Sequence, residues 1–155
     1  MPGRVLIVED DHLTTLSLSS ILDLVGFEIV GTASRVRDAL MQAKQTSPQI
    51  AIVGVGLAGK RDGIEGASLL REFLEIPVVL VTARTDAQTH ARAIMARPIA
   101  ILKKPVPPRV IISAVQRAMQ AAGHDDVLSE RRTKPDYEAR CNDTDSNCGG
   151  RTFDS

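Results

Sequence analysis

Surplus charge, long apolar runs and closely spaced cysteines are all missing from this chain, and each absence removes a class of function. With 19 Lys and Arg against 19 Asp and Glu, no charge excess is available to grip a nucleic-acid backbone. Residues 1–122 hold 14 basic and 11 acidic side chains and residues 123–155 hold 5 and 8, imbalances too small to name a partner. No run of about 18 apolar residues exists to span a bilayer. The opening Met1-Pro2-Gly3-Arg4 leads straight into an apolar segment, so no signal peptide is read and a cytoplasmic location is expected. The two cysteines, Cys141 and Cys148, lack the nearby Cys or His partners of a zinc site. Free thiols in a reducing cytosol are the simple reading, and a redox-sensitive disulfide is the alternative.

What is present is alternation. At 155 residues the chain is long enough for one well-cored domain. Short apolar runs at Val5–Val8, Glu28–Gly31, Ile50–Val53, Val78–Val81 and Ile99–Leu102 read as strands, and each is followed by an amphipathic helical pattern. Asp11 caps the first helix, in which Leu18, Ile21, Leu22 and Val25 share a face before Gly26 ends it. Ser34 is the expected cap of the second, which carries Val36, Ala39, Leu40 and Ala43 and stops at Ser47-Pro48. The third places Ile64, Ala67, Leu70 and Leu74 on one side, with Asp62-Gly63 before it as a turn signal. The fourth begins at Asp86 and has little beyond Ala91, Ala93, Ile94 and Met95, so weak packing is predicted. Pro107-Pro108 opens a fifth with Ile111, Ala114, Val115, Ala118 and Met119. Five strand-helix units imply a doubly wound parallel α/β sheet over residues 1–122. Residues 123–155 are polar, with too little apolar surface to offset ordering entropy, and are expected to form a mostly disordered tail.

The strand ends carry the chemistry. Glu9-Asp10-Asp11 follow the first strand, Thr82 ends the fourth, and Lys103-Lys104-Pro105 follow the fifth. Such ends lie along one edge of an open parallel sheet, where the ligands of these folds bind. The third strand contributes only Gly54 there. Each group also has a plain structural role. The three acids can cap a helix and favour its positive end, Thr82 can simply end a strand, and Lys104 can pair with Asp10 or Glu9.

Taken together, VLIVEDD, Gly26-Phe27, LAGKRDGIEGASLLRE, IPVVLVTA and ILKKP resemble the receiver domain of bacterial two-component response regulators over residues 4–122. The resemblance implies a flavodoxin-like (βα)5 fold with strand order 2-1-3-4-5. It also implies a site in which Glu9 and Asp10, with the carbonyl of Gly56, hold Mg²⁺, Thr82 hydrogen-bonds a phosphoryl group, Lys104 ion-pairs with it and Pro105 follows a cis bond. The phosphoacceptor aspartate falls on Gly54, which has no side chain to phosphorylate. The place where many members carry a switching aromatic ring holds Ile101.

The resulting expectation is a stand-alone pseudo-receiver, not an enzyme. It would be a phosphorylation-independent interaction module with at most weak Mg²⁺ binding, since one of about three direct ligands is lost. Expected partners are a sensor histidine kinase, a phosphotransfer protein or another regulator, with homodimers possible and neither nucleic acid nor membrane involved. Two alternatives stand beside it. One is a conventional receiver, inactivated at Gly54 or phosphorylated on a neighbouring acid. The other is a small anion-binding module using Lys104.

Overall fold

Nine elements run in strict alternation through the computed structural model, which describes residues 3–57, 62–84 and 86–121. They are β1 (Arg4–Val8), α1 (His12–Leu24), β2 (Glu28–Ala33), α2 (Val36–Thr46), β3 (Ile50–Gly54), α3 (Gly63–Leu74), β4 (Val78–Thr82), α4 (Ala87–Met95) and β5 (Ala100–Lys103). A further helix, α5, covers 108–121. The expectations for residues 123–155, including the disordered tail and both cysteines, lie outside the described residues.

All five strands are parallel, in the order β2-β1-β3-β4-β5. The three inner strands are apolar at nearly every position because both of their faces are covered. Their alternation sorts the core into two layers. Leu6, Val8, Ala51, Val53, Val78 and Leu80 pack against Ala39 and Ala43 of α2, Ile64, Ala67 and Leu70 of α3 and Ala93 of α4. Val5, Ile7, Ile50, Ile52, Val79 and Val81 face Leu18 and Leu22 of α1 and Ile111, Ala114, Val115 and Ala118 of α5. One helix pair and one helix triplet therefore sandwich the sheet, and both of its faces are covered as the strand-helix alternation predicts.

Differences from the expected boundaries are local. Strand β2 extends to Ala33, because Glu9 N donates to Ala33 O at 2.8 Å and prolongs the ladder beyond the apolar run. Arg35, not Ser34, occupies the N-cap position of α2, and among the described residues no side chain caps that end. Asp11 does occupy the N-cap of α1, but its carboxylate accepts from Thr14 Oγ1 at 2.5 Å in place of a backbone amide. Val25 is half exposed and forms the C-cap of α1, while Gly26 beyond it takes φ 96°, the left-handed conformation that glycine adopts without strain.

Candidate functional site

The order β2-β1-β3 places the C-terminal ends of β1 and β3 side by side, with Val8 paired to Val53. The next residues along each strand, Glu9 and Gly54, therefore become neighbours. Strand β4 stands on the other side of β3, with Val81 opposite Gly54, and β5 follows, with Lys103 opposite Thr82. Four separate chain segments deliver Glu9, Gly54, Thr82 and Lys104 to one sheet edge.

The hollow above Gly54 is filled by an acid. A β-carbon built on Gly54 would overlap Glu9 Oε1 and stand 3.1 Å from Glu9 Cδ. The Glu9 carboxylate thus lies where a side chain of residue 54 would begin, and the glutamate is only 6% exposed. Its oxygens are both engaged. Lys104 Nζ donates to Oε1 at 3.2 Å, and the backbone N–H of Asp11 donates to Oε2 at 3.1 Å. Of the two pairings open to Lys104 from the sequence, Asp10 or Glu9, the fold selects Glu9. Asp10 itself is exposed.

Thr82 is buried, and its hydroxyl turns back on the following loop, accepting from Arg84 N at 2.9 Å. Its carbonyl accepts from Lys104 N at 2.8 Å, which fixes the lysine backbone against β4. The Lys104-Pro105 peptide bond is cis. Ile101 is partly buried and packs into the layer shared with α2, α3 and α4. Gly56 is exposed, and among the described residues nothing stands within 4 Å of the position a β-carbon there would take.

The Mg²⁺ set implied by the resemblance is Glu9, Asp10 and the Gly56 carbonyl. As seated, these residues do not fit the ion: Glu9 is turned toward Gly54 and held by a cation, and the third strand offers no carboxylate. Among the described residues, no group of three His, Cys, Asp or Glu side chains is placed to hold a metal. Mg²⁺ demands a near-octahedral shell of oxygen ligands, which one exposed aspartate and a backbone carbonyl supply poorly.

Two residues near the site do more than the sequence suggested. Asp62 is the N-cap of α3, accepting from Glu65 N at 2.9 Å, and also pairs with Arg92 of α4 at 2.7 Å. Burial raises its pKa, but the hydrogen bonds from Glu65 N and Arg92 outweigh this and leave it below the usual aspartate value. Asp followed three positions later by Glu was the available signal, since that spacing marks a helix start. Gly63 is required by close approach: a β-carbon there would overlap the carbonyl oxygen of Gly54. The N-terminus of α3 is thereby pressed against the end of β3.

Comparison with known proteins agrees with this architecture. Residues 5–116 match the family described as response regulator receiver domain. The transcriptional regulatory protein PdtaR of Mycobacterium tuberculosis is 34% identical over 119 residues, covering 77% of this chain and 58% of that protein. A putative transcriptional regulator of Pseudomonas aeruginosa is 32% identical over 103 residues, covering 66% of this chain and 49% of that one. The chain thus spans about half the length of these curated relatives. Among solved structures, the signal receiver domain of a modulated diguanylate cyclase from Desulfovibrio desulfuricans superposes with a TM-score of 0.77 at 29% identity, covering 81% of this chain and 99% of that one. A putative response regulator from Chloroflexus aurantiacus gives 0.71 at 26% identity, covering 77% and 99%. With the strand order, the polar strand ends and the family match in agreement, the chain belongs to the response regulator receiver domain family.

Proposed function

We propose that this receiver domain of two-component signalling works without phosphorylation at its third strand, as an interaction module held in one state. The observation that carries the reading is the buried Gly54 at the end of β3, with the Glu9 carboxylate seated over it. A glycine cannot form an acyl phosphate, and the neighbouring acids are poor substitutes. Asp11 is directed at Thr14, and Asp62 is held by Glu65 N and Arg92. In-line phosphoryl transfer depends on accurate placement of the nucleophile, so a displaced carboxylate loses most of the effect. The anion-binding alternative is weakened because Lys104 already has a carboxylate partner.

The output this reading proposes is docking. Among the described residues, two exposed apolar surfaces are available for a sensor kinase, a phosphotransfer protein, another regulator or a second copy. One is the α4 and α5 side, with Ile94, Met95 and Val110, and the other is α1, with Leu13, Leu16 and Leu24. No helix among the described residues is long and apolar enough to cross a membrane.

The test is incubation with Mg²⁺ and acetyl phosphate or beryllofluoride, followed by intact mass and amide shifts. The unmodified chain is expected to show no change, and Gly54→Asp is expected to gain a response. A single phosphoryl adduct on the unmodified chain would restore the conventional reading.

A further inference from the structure

A glycine at the end of a buried strand can be a simple loss, leaving a hollow that nothing uses. Here the hollow is used. Glu9 projects from the adjacent strand end into the volume that any side chain at residue 54 would need. Its side chain is 3% exposed, and its partner Lys104 is 29% exposed. A carboxylate removed this far from water is costly unless charge and hydrogen bonds compensate. Lys104 Nζ and Asp11 N supply that compensation, one to each oxygen. The three positions are mutually dependent. Glycine at 54 gives the room, Glu9 has the length to cross from β1 to β3, and the backbone bond from Lys104 N to Thr82 O sets the lysine at the right edge.

We infer that Glu9 has been reassigned from metal ligand to stand-in for the third-strand acid: across the space above Gly54 it is the standing ion partner of Lys104, and this pairing closes the pocket to Mg²⁺. The inference rests on the proposed phosphorylation-independent function and gives it a physical basis. The ammonium that would otherwise engage an incoming phosphoryl group is engaged by an internal carboxylate. A pocket closed in this way has no need of an external ligand to hold β1, β3 and β5 together at their ends.

Gly54→Ala separates this from an unused hollow by the sign of its effect. Gly54 does not have a left-handed backbone, so alanine is conformationally admissible. In an unused hollow the substitution stabilises by restricting the unfolded chain. If Glu9 occupies the space, the new methyl group displaces the carboxylate. The Glu9 arm is flexible enough to swing away, so what is measured is the lost pairing and not a rigid clash. The expected result in urea denaturation is roughly a tenfold fall in the folding equilibrium constant, the scale of one hydrogen bond to a charged group. In a Glu9→Ala background, where no carboxylate competes for the space, Gly54→Ala should be neutral or stabilising. Should Glu9→Ala not fold, Glu9→Gln serves as the second background: its shorter-range, uncharged pairing should shrink the cost of Gly54→Ala. In a separate titration of the full chain with MgCl2 alone, the amides of Glu9, Asp10 and Gly56 should show no saturable shift at millimolar concentrations.

The inference is overturned if Gly54→Ala stabilises the otherwise unmodified chain, if its cost is the same with and without the Glu9 carboxylate, or if Mg²⁺ saturates in the millimolar range and Glu9→Gln abolishes the binding. None of these outcomes requires a phosphoryl adduct. Failure of the proposed function would appear in the mass experiment, and failure of the Glu9 assignment in the denaturation cycle and the metal titration.

Discussion

Helices α3 and α4 are neighbours with the same kind of beginning and very different anchoring. Each starts on an aspartate whose carboxylate accepts from the amide three residues on, Asp62 from Glu65 N and Asp86 from Thr89 N. Beyond that first turn they diverge. Helix α3 buries Gly63, Ile64, Gly66, Ala67 and Leu70, while α4 buries only Thr89 and Ala93 and leaves Ile94 54% and Met95 81% exposed. Capping sets where a helix starts, and the apolar stripe sets how firmly it is held. The lesson bears on function, because the loosely held helix is also the one presenting unpartnered apolar side chains. Arg92 spans the two helices by reaching Asp62, so the α3 cap also tethers α4.

The difference in anchoring is tested most severely in α3. Leu70→Ala should cost about 2–5 kcal/mol in chemical denaturation, because Leu70 is fully buried in the layer under β3 and β4 and leaves a cavity. A loss below about 0.5 kcal/mol would show that α3 is no better anchored than α4. Asp62→Ala comes next, at about 1 kcal/mol for the cap. It should also release Arg92, seen as faster amide exchange in α4; unchanged exchange there would mean that the tether carries no load.

Asp86 gives the pH form of the same comparison. Hydrogen bonds from the Thr89 hydroxyl and then the Thr89 amide lower its pKa from 3.8 to about 2. A depressed carboxylate stabilises the fold above its unfolded pKa, and that contribution is lost as pH falls through the folded value. The start of α4 should therefore hold at pH 5 and loosen between about 4 and 2, and Asp86→Asn should flatten that response. Amide exchange across residues 87–95 reads it directly. The smallest effect on stability belongs to Met95→Ser, expected within about 0.5 kcal/mol of the unmodified chain. Its effect should fall instead on self-association or partner binding, measured by sedimentation. Unaltered assembly would remove the α4 surface from the docking reading.

Much of this architecture was legible because it depends on short-range pattern. Strands buried on both faces must be apolar throughout, and Val5–Val8, Ile50–Val53 and Val78–Val81 show it. The weakness of α4 could be read from its few large apolar residues. The cap of α2 could not be read reliably, since Ser34 has the right chemistry one position too early and the prolonged β2 ladder draws that segment into the sheet. The dual role of Asp62 was half visible: the Asp-to-Glu65 spacing was in the sequence, whereas Arg92 is 30 residues away.

The alternation of strands and helices, the arrival of acids, hydroxyl and ammonium at strand ends, and the glycine among them could all be read along the chain, because periodicity and residue type are local properties. What became of the space over Gly54 was settled by packing in three dimensions. Glu9 and Lys104 are 95 positions apart, and both a lysine partner of Asp10 and one of Glu9 agree with the sequence. Neighbouring strands, the room left by a missing β-carbon and the need to satisfy a buried carboxylate made the choice, and those exist only once the sheet is assembled.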